Sequence, residues 1–218
     1  MAYQTLLFDL DGTIIDSAPG IYRSVQYALS KFGIMVSDPQ TLRPFIGPPL
    51  MDSFMQYYHM SEEDARLAVK YYRELYEPEA KLECTVYTGI PELLETLHAA
   101  GRRVVLATSK PEVFARAILE HFSLDRYFDR IGGALLGGGR DTKEEVLRYI
   151  LSEVSAENAV MIGDTKFDMA GAKALGLPAI GVTYGFGSRE ELISGGAAAL
   201  AESPEELGKI LMEGERAE

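Results

Sequence analysis

The chain has 218 residues, 47% hydrophobic and 25% charged, enough for one sizeable core or a core carrying a smaller insertion. Its 21 Lys+Arg stand against 33 Asp+Glu, a net charge of -12, which argues against a nucleic-acid polymer or an anionic membrane surface as partner. No apolar run approaches the roughly 20 residues that span a bilayer, no secretory leader is evident, and the single cysteine, Cys84, cannot form an internal disulfide, so a cytoplasmic protein is expected.

The first apolar run, Thr5–Phe8, predicts a buried strand ending at Asp9. From Ala18 to Glu83 no strand is evident, and helical patterns recur at Ile21–Phe32, Leu50–Tyr58 and Glu62–Tyr76. This stretch is rich in tyrosine (Tyr22, Tyr27, Tyr57, Tyr58, Tyr71, Tyr72 and Tyr76). It reads as a helical domain, residues 18–83, inserted into a core made of residues 1–17 and 84–218. Ser17–Gly20 and Glu83–Gly89 would be its hinges, and closure over the core would exclude bulk water.

Beyond it, a helix over Pro91–Ala100 stops at Gly101, and Val104–Ala107 predicts a strand before Thr108. A helix follows Ser109 with Pro111 near its start. Ile131–Leu136 is a weaker strand before a glycine triplet, and Ala159–Ile162 and Ala179–Val182 are stronger ones. Thr142 with Glu145, Ser188 with Glu191, and Ser203 with Glu206 have capping-box spacing. The tail after Leu211 is expected to fray. Alternating strands and helices predict an α/β, doubly wound (Rossmann-like) parallel sheet, with ligands beyond the carboxyl ends of the strands.

Those ends carry the chemistry. Asp9 and Asp11, with Gly12 allowing a sharp turn, offer a carboxylate nucleophile and a second carboxyl to protonate a leaving oxygen and then activate water. Asp and Gly are also ordinary turn formers. Asp164 and Asp168 supply hard oxygen ligands suited to Mg2+, on one face if a helix has begun between them. As plain helix-start acids, only one of the two would be well explained. Thr108 can hydrogen-bond a phosphate oxygen, helped by Ser109 and the N–H groups of the next helix.

Lys143 opposes a helix dipole, which makes sense if it pairs with a phosphate, with Asp9 or with the metal-site acids. Considered alone it also reads as a solvated surface lysine. Lys110 has the same two readings, and the surface one carries slightly more weight. Phosphate-monoester hydrolysis needs acceleration of up to ~10²¹-fold, which calls for a metal, a cation and an in-line nucleophile together.

Together these segments resemble the haloacid-dehalogenase-like hydrolase superfamily, whose first motif reads DxDGT and whose fourth reads GDxxxD. The resemblance covers essentially the whole chain. It implies Asp9 as nucleophile, Asp11 as general acid/base, Thr108 as the second-motif hydroxyl and Lys143 as the third-motif lysine. It implies Mg2+ held by Asp9, the backbone carbonyl of Asp11, and Asp164, with Asp168 acting mainly through a metal-bound water. The helical insertion resembles the cap of phosphoglycolate phosphatases, with residues 43–50 as its substrate-facing loop. Residues 183–188 resemble the loop after the final core strand of that group.

The implied function is a phosphatase acting on a small phosphorylated metabolite, as monomer or homodimer. Phosphoglycolate is the first substrate class, with a 5'-nucleotidase or a sugar phosphomutase as alternatives. Dehalogenation needs neither Asp11 nor the Asp164/Asp168 pair. Phosphonate cleavage needs a Schiff-base lysine in the cap, and Lys31, Lys70 and Lys81 have no context suggesting one. A binding protein that had lost catalysis would be expected to lack one of these acids. Arg43 can bind a substrate carboxylate or second phosphate bidentately, or simply flank a helix. The tyrosines fit core packing better than base stacking.

Overall fold

The structure, a computed structural model, describes residues 3–212. The chain divides into two compact units, Met1–Asp16 with Val86–Glu218, and Ser17–Thr85. The fraying expected after Leu211 falls mainly on residues 213–218, outside the described residues.

The first unit is built on six parallel strands in the order β5-β4-β1-β6-β7-β8. They are β1 (Thr5–Phe8), β4 (Arg103–Pro111), β5 (Arg130–Ala134), β6 (Ala159–Gly163), β7 (Ala179–Val182) and β8 (Ala199–Ala201). The short strands β2 (Ile15–Asp16) and β3 (Thr85–Val86) lie where the chain passes between the units. In β1 every side chain is buried, because a parallel sheet is covered on both faces. Leu7, Val105, Ala107 and Met161 point to one face, where they join Val146, Leu147 and Ile150 of α6 (Lys143–Leu151) and Met169 and Ala172 of α7 (Lys166–Ala174). Leu192 of α8 (Arg189–Gly195) completes that cluster. Helices α4 (Ile90–Ala99), α5 (Glu112–His121) and α9 (Pro204–Met212) finish the unit. Strand order reverses at β1, with β4 on one side and β6 on the other, so a crevice opens at its carboxyl end.

The expected strands all form, with several differences: the short β2 and β3 are absent from the sequence reading, and β5 ends at Ala134, two residues short of the expected Leu136. β8 has no counterpart in the sequence reading, since Ala199–Ala201 is three residues of weak strand propensity recruited by pairing with β7. β4 continues four residues past Ala107, with a break in register between Thr108 and Pro111. Ser109–Pro111 therefore belong to the strand, and α5 begins only at Glu112 with Pro111 as its cap. The physical cause is Pro111, which holds Lys110 out of the helical region. Two expected capping boxes form, at Thr142/Glu145 and Ser188/Glu191. At Ser203 the hydroxyl accepts the Glu206 N–H, but the Glu206 carboxylate reaches the Glu202 N–H instead.

The second unit contains α1 (Ala18–Ser30), a 3-10 turn at Pro39–Phe45, α2 (Leu50–Tyr58) and α3 (Glu62–Tyr76). Its core gathers Val25, Leu29, Leu42, Phe45, Phe54, Ala68, Tyr72 and Tyr76, with Phe45 edge-on to Phe54 at 4.9 Å between ring centroids. Ser61 caps α3 by accepting the Asp64 N–H at 3.1 Å. Tyr22, Tyr72 and Tyr76 are core residues, whereas Tyr57 is 45% exposed.

Candidate active site

Asp9 follows β1 directly, and its N–H donates to the Ile162 carbonyl of β6 at 2.9 Å. The chain then folds back on itself: Ile14 N–H reaches the Leu10 carbonyl and Gly12 N–H the Ile15 carbonyl. Gly12 has φ +79°, and a Cβ there would overlap the Asp164 carboxylate, so only glycine satisfies both the turn and the close approach. Asp9 is nearly buried at 8% exposure.

Lys143 is the first residue of α6, held there by the Thr142/Glu145 capping box. Its ammonium lies 2.7 Å from Asp9 Oδ1 and 2.8 Å from Asp168 Oδ1, and donates to the Ala107 carbonyl at 2.8 Å. Gly171 of α7 leaves room for its stem, since a Cβ there would lie 2.7 Å from Lys143 Cγ. Burial works against its charge, but Asp168 and Asp9 outweigh that and raise its pKa.

Asp168 does not share a helix face with Asp164, because α7 starts only at Lys166. It sits instead in a capping box, its Oδ2 accepting from the Thr165 N–H at 3.0 Å and hydroxyl at 2.8 Å, which turns Oδ1 toward Lys143. Asp164 is fully buried; its Oδ2 accepts the Phe186 N–H at 2.7 Å and its Oδ1 the Thr13 hydroxyl at 3.3 Å. Among the described residues, no lysine or arginine pairs with it.

Asp9, Asp164 and Asp168 each offer a carboxylate oxygen within 4.8 Å of the others. Lys143 compensates one of the three charges, leaving a formal deficit of two in a buried pocket. The strain is visible in the pKa values. Burial pushes Asp9 up to about 6, against the pull of Lys143 and with Asp168 adding to the rise. Asp164 is raised well above its ordinary value, again through burial first and then Asp168 and Asp9. Hard oxygen donors with two uncompensated charges fit a divalent cation such as Mg2+.

Lys110 corrects the surface reading. It is 8% exposed, and its ammonium spans both Asp11 carboxylate oxygens at 2.7 and 2.8 Å. The break in β4 turns it inward, and Gly133 of β5 makes the break possible: a Cβ there would lie 2.6 Å from the Lys110 carbonyl oxygen. Thr108 is buried on β4, its hydroxyl accepting the Lys110 N–H at 3.2 Å; Ser109 is half-buried beside it. The α5 N–H groups expected to assist Thr108 begin further on, past Pro111. The first unit thus gathers Asp9, Lys143, Asp164 and Asp168, and pairs Asp11 with Lys110. Arg43 belongs to the other unit, exposed on the Pro39–Phe45 turn.

Sequence reasoning did not find Thr13, the Phe186 N–H, Gly133 or Gly171. Thr13 stood in plain view after Gly12. A backbone donor and two glycines that act by what they leave out carry no signal of their own.

The family model described as haloacid dehalogenase-like hydrolase matches residues 6–182. A 5'-nucleotidase of Pseudomonas aeruginosa is 48% identical over 194 residues, covering 88% of this chain and 88% of its own. A phosphoglycolate phosphatase of Rhodospirillum rubrum is 33% identical over 222 residues, covering 95% of this chain and 90% of its own. The crystal structure of a predicted phosphatase from Clostridium acetobutylicum superposes with a TM-score of 0.94 at 49% identity, covering 98% of this chain and 100% of that one.

Proposed function

The chain belongs to the haloacid dehalogenase-like hydrolases, and from that premise we propose that it is a magnesium-dependent phosphatase that hydrolyses a small phosphate monoester with Asp9 as nucleophile. The observation that carries this reading is the buried Asp9/Asp164/Asp168 cluster, two positive charges short, with Lys143 bridging Asp9 and Asp168. Asp9, Asp164 and Asp168 would hold Mg2+, with the Asp11 carbonyl as a further ligand by family resemblance. Bound there, Mg2+ supplies positive charge against the phosphoryl oxygens.

In this reading the chain's own residues divide the work. Lys143 favours the ionised form of Asp9 against the effect of burial, and an ionised carboxylate is what attack on phosphorus requires. As the Asp9–phosphorus bond forms, the bond to the leaving oxygen breaks and Asp11, entering this step in its protonated form, delivers that proton to the leaving oxygen. Water then attacks the phosphoaspartyl group, Asp11 takes its proton, and Asp9 and phosphate are released. Lys110 fixes the Asp11 carboxyl. Thr108, Ser109 and the Gly12 turn offer donors for the phosphate. Substrate choice is assigned to the helical unit, with Arg43 as a candidate ligand for a carboxylate or second phosphate.

Two substrate classes have specific support: nucleoside 5'-monophosphates through the relative at 48% identity, and phosphoglycolate through the one at 33%. Hydrolysis of p-nitrophenyl phosphate that requires added Mg2+ and is lost in EDTA tests the reaction. A kinetic screen of nucleoside monophosphates, phosphoglycolate, sugar phosphates and pyrophosphate ranks the substrates, and activation by a sugar bisphosphate would mark a mutase instead. No turnover of any of these by folded, Mg2+-supplied protein would reject the enzyme reading.

A further inference from the structure

Asp164 differs from the other acids of the cluster in having two neutral donors and, among the described residues, no cation. One donor, Thr13, comes from the turn after Asp9. The other is the Phe186 N–H, on a short connection pinned at both ends. At its start Thr183 N–H donates to the Ala201 carbonyl of β8 at 2.9 Å. At its end Ser188 begins α8 in a complete capping box. Only Tyr184, Gly185, Phe186 and Gly187 lie between.

Each of those four residues is committed to the Asp9–Asp164 region. The Tyr184 hydroxyl donates to the Thr13 carbonyl at 3.1 Å, tying this connection to the turn that supplies the other Asp164 donor. Its ring stands edge-on to Tyr87, 5.1 Å between centroids. A Cβ on Gly185 would overlap the Gly12 carbonyl oxygen and Asp164 Cβ, and one on Gly187 would overlap the Asp164 carbonyl oxygen. Backbone therefore presses against Asp164 from two loops, and no side chain could be added without moving it. A segment serving only to link β7 to α8 would need none of this.

We propose that the Tyr184–Gly187 connection is a positioning device for Asp164. Through the Phe186 N–H and the Tyr184–Thr13 tie, it fixes the carboxylate in the orientation that receives the divalent cation. Cation affinity is then set by residues outside the acid cluster. Neutral donors suit this task because they orient a carboxylate without cancelling the charge that attracts the cation.

This inference rests on the metal-dependent reading above, and direct metal binding tests the two separately. Mg2+ titrated into metal-free full-length protein by calorimetry, with Mn2+ by electron paramagnetic resonance as a second probe, gives Kd without using activity. In Gly187→Ala the Asp164 backbone must shift, and Kd is expected to rise by about 10–100-fold, the usual cost of losing an outer partner of a metal ligand. In Tyr184→Phe only the tie to Thr13 is lost, and a smaller rise is expected. A purely structural role would lower the melting temperature of the metal-free protein and leave Kd of the folded protein unchanged. Unchanged Kd in both variants, with wild-type binding intact, overturns the inference alone. If Gly187→Ala does not fold, Tyr184→Phe decides. Wild-type protein that takes up neither ion overturns the metal-dependent reading and this inference with it.

Discussion

Lys143 and Lys110 divide the acids of the site between them. Lys143 serves Asp9 and Asp168, Lys110 serves Asp11, and Asp164 is left to neutral donors. Two consequences follow for Asp9. On the proposed mechanism Asp9→Asn cannot form an acyl phosphate, so turnover of p-nitrophenyl phosphate should fall on the order of 10⁴-fold or more, as for other lost nucleophiles. The same substitution should stabilise the metal-free protein. The folded-state pKa of Asp9 is raised from 3.8 to about 6, so the folded state binds more protons than the unfolded one between those values. Stability is thus lost as pH rises through that window and the full penalty stands above it, up to about 3 kcal/mol at roughly 1.4 kcal/mol per pH unit. Urea unfolding without metal should show Asp9→Asn ahead of wild type at pH 7.5, with the gap closing toward pH 4. A gap that widens on acidification would contradict this sign.

At the scale of elements, two local devices aim the lysines. The capping box at Thr142 sits one residue before Lys143, the first residue of α6. Thr142→Ala removes a side-chain cap and should cost about 0.5–2 kcal/mol in urea unfolding, with a lower kcat because the fraying end carries Lys143. The irregularity in β4 aims Lys110, and Gly133 on the neighbouring strand accommodates it. In Gly133→Ala the new Cβ would stand 2.6 Å from the Lys110 carbonyl oxygen and 2.8 Å from Glu112 Cα, both backbone atoms that cannot swing aside. Overpacking of this kind costs about 1–3 kcal/mol. Activity should fall beyond what stability explains, since the Lys110–Asp11 pair moves with the backbone. A variant with wild-type kcat would show that the break in β4 is not needed for Asp11.

For the whole molecule, the cluster's charge deficit links metal binding to folding. A ligand that binds only the native state at 100 times its Kd adds about 2.7 kcal/mol. At this chain length that raises Tm by about 2–4 °C per kcal/mol. Saturating Mg2+ should therefore raise Tm by roughly 5–10 °C, measured by scanning calorimetry, and Asp164→Asn should abolish the shift. An equal shift in Asp164→Asn would mean that Mg2+ acts elsewhere. All of these acids and both lysines lie in the unit formed by residues 1–16 and 86–218, while Arg43 and most of the tyrosines lie in Ser17–Thr85. Among the described residues, no helix is long and apolar enough to cross a membrane.

The parallel α/β core and the acids at its strand ends are legible in the residues alone. Buried parallel strands are legible as continuous apolar runs, and motif residues at their carboxyl ends fall where the topology opens a crevice. Within Ser17–Thr85, α2 and α3 begin and end as their amphipathic patterns predict. The pairing of Lys143 with Asp9 and Asp168 is among its sequence readings, but other partners come only from the folded backbone. Lys110 reads as a surface residue until Pro111 and Gly133 bend β4 and turn it onto Asp11. Asp168 reads as a partner to Asp164 on one helix face until α7 starts late enough to make it a cap. The Phe186 N–H, a donor with no side-chain signature, is recruited to Asp164 from more than twenty residues away. Such pairings depend on backbone register and on space left by glycines, and neither is written in the identity of the residue that benefits.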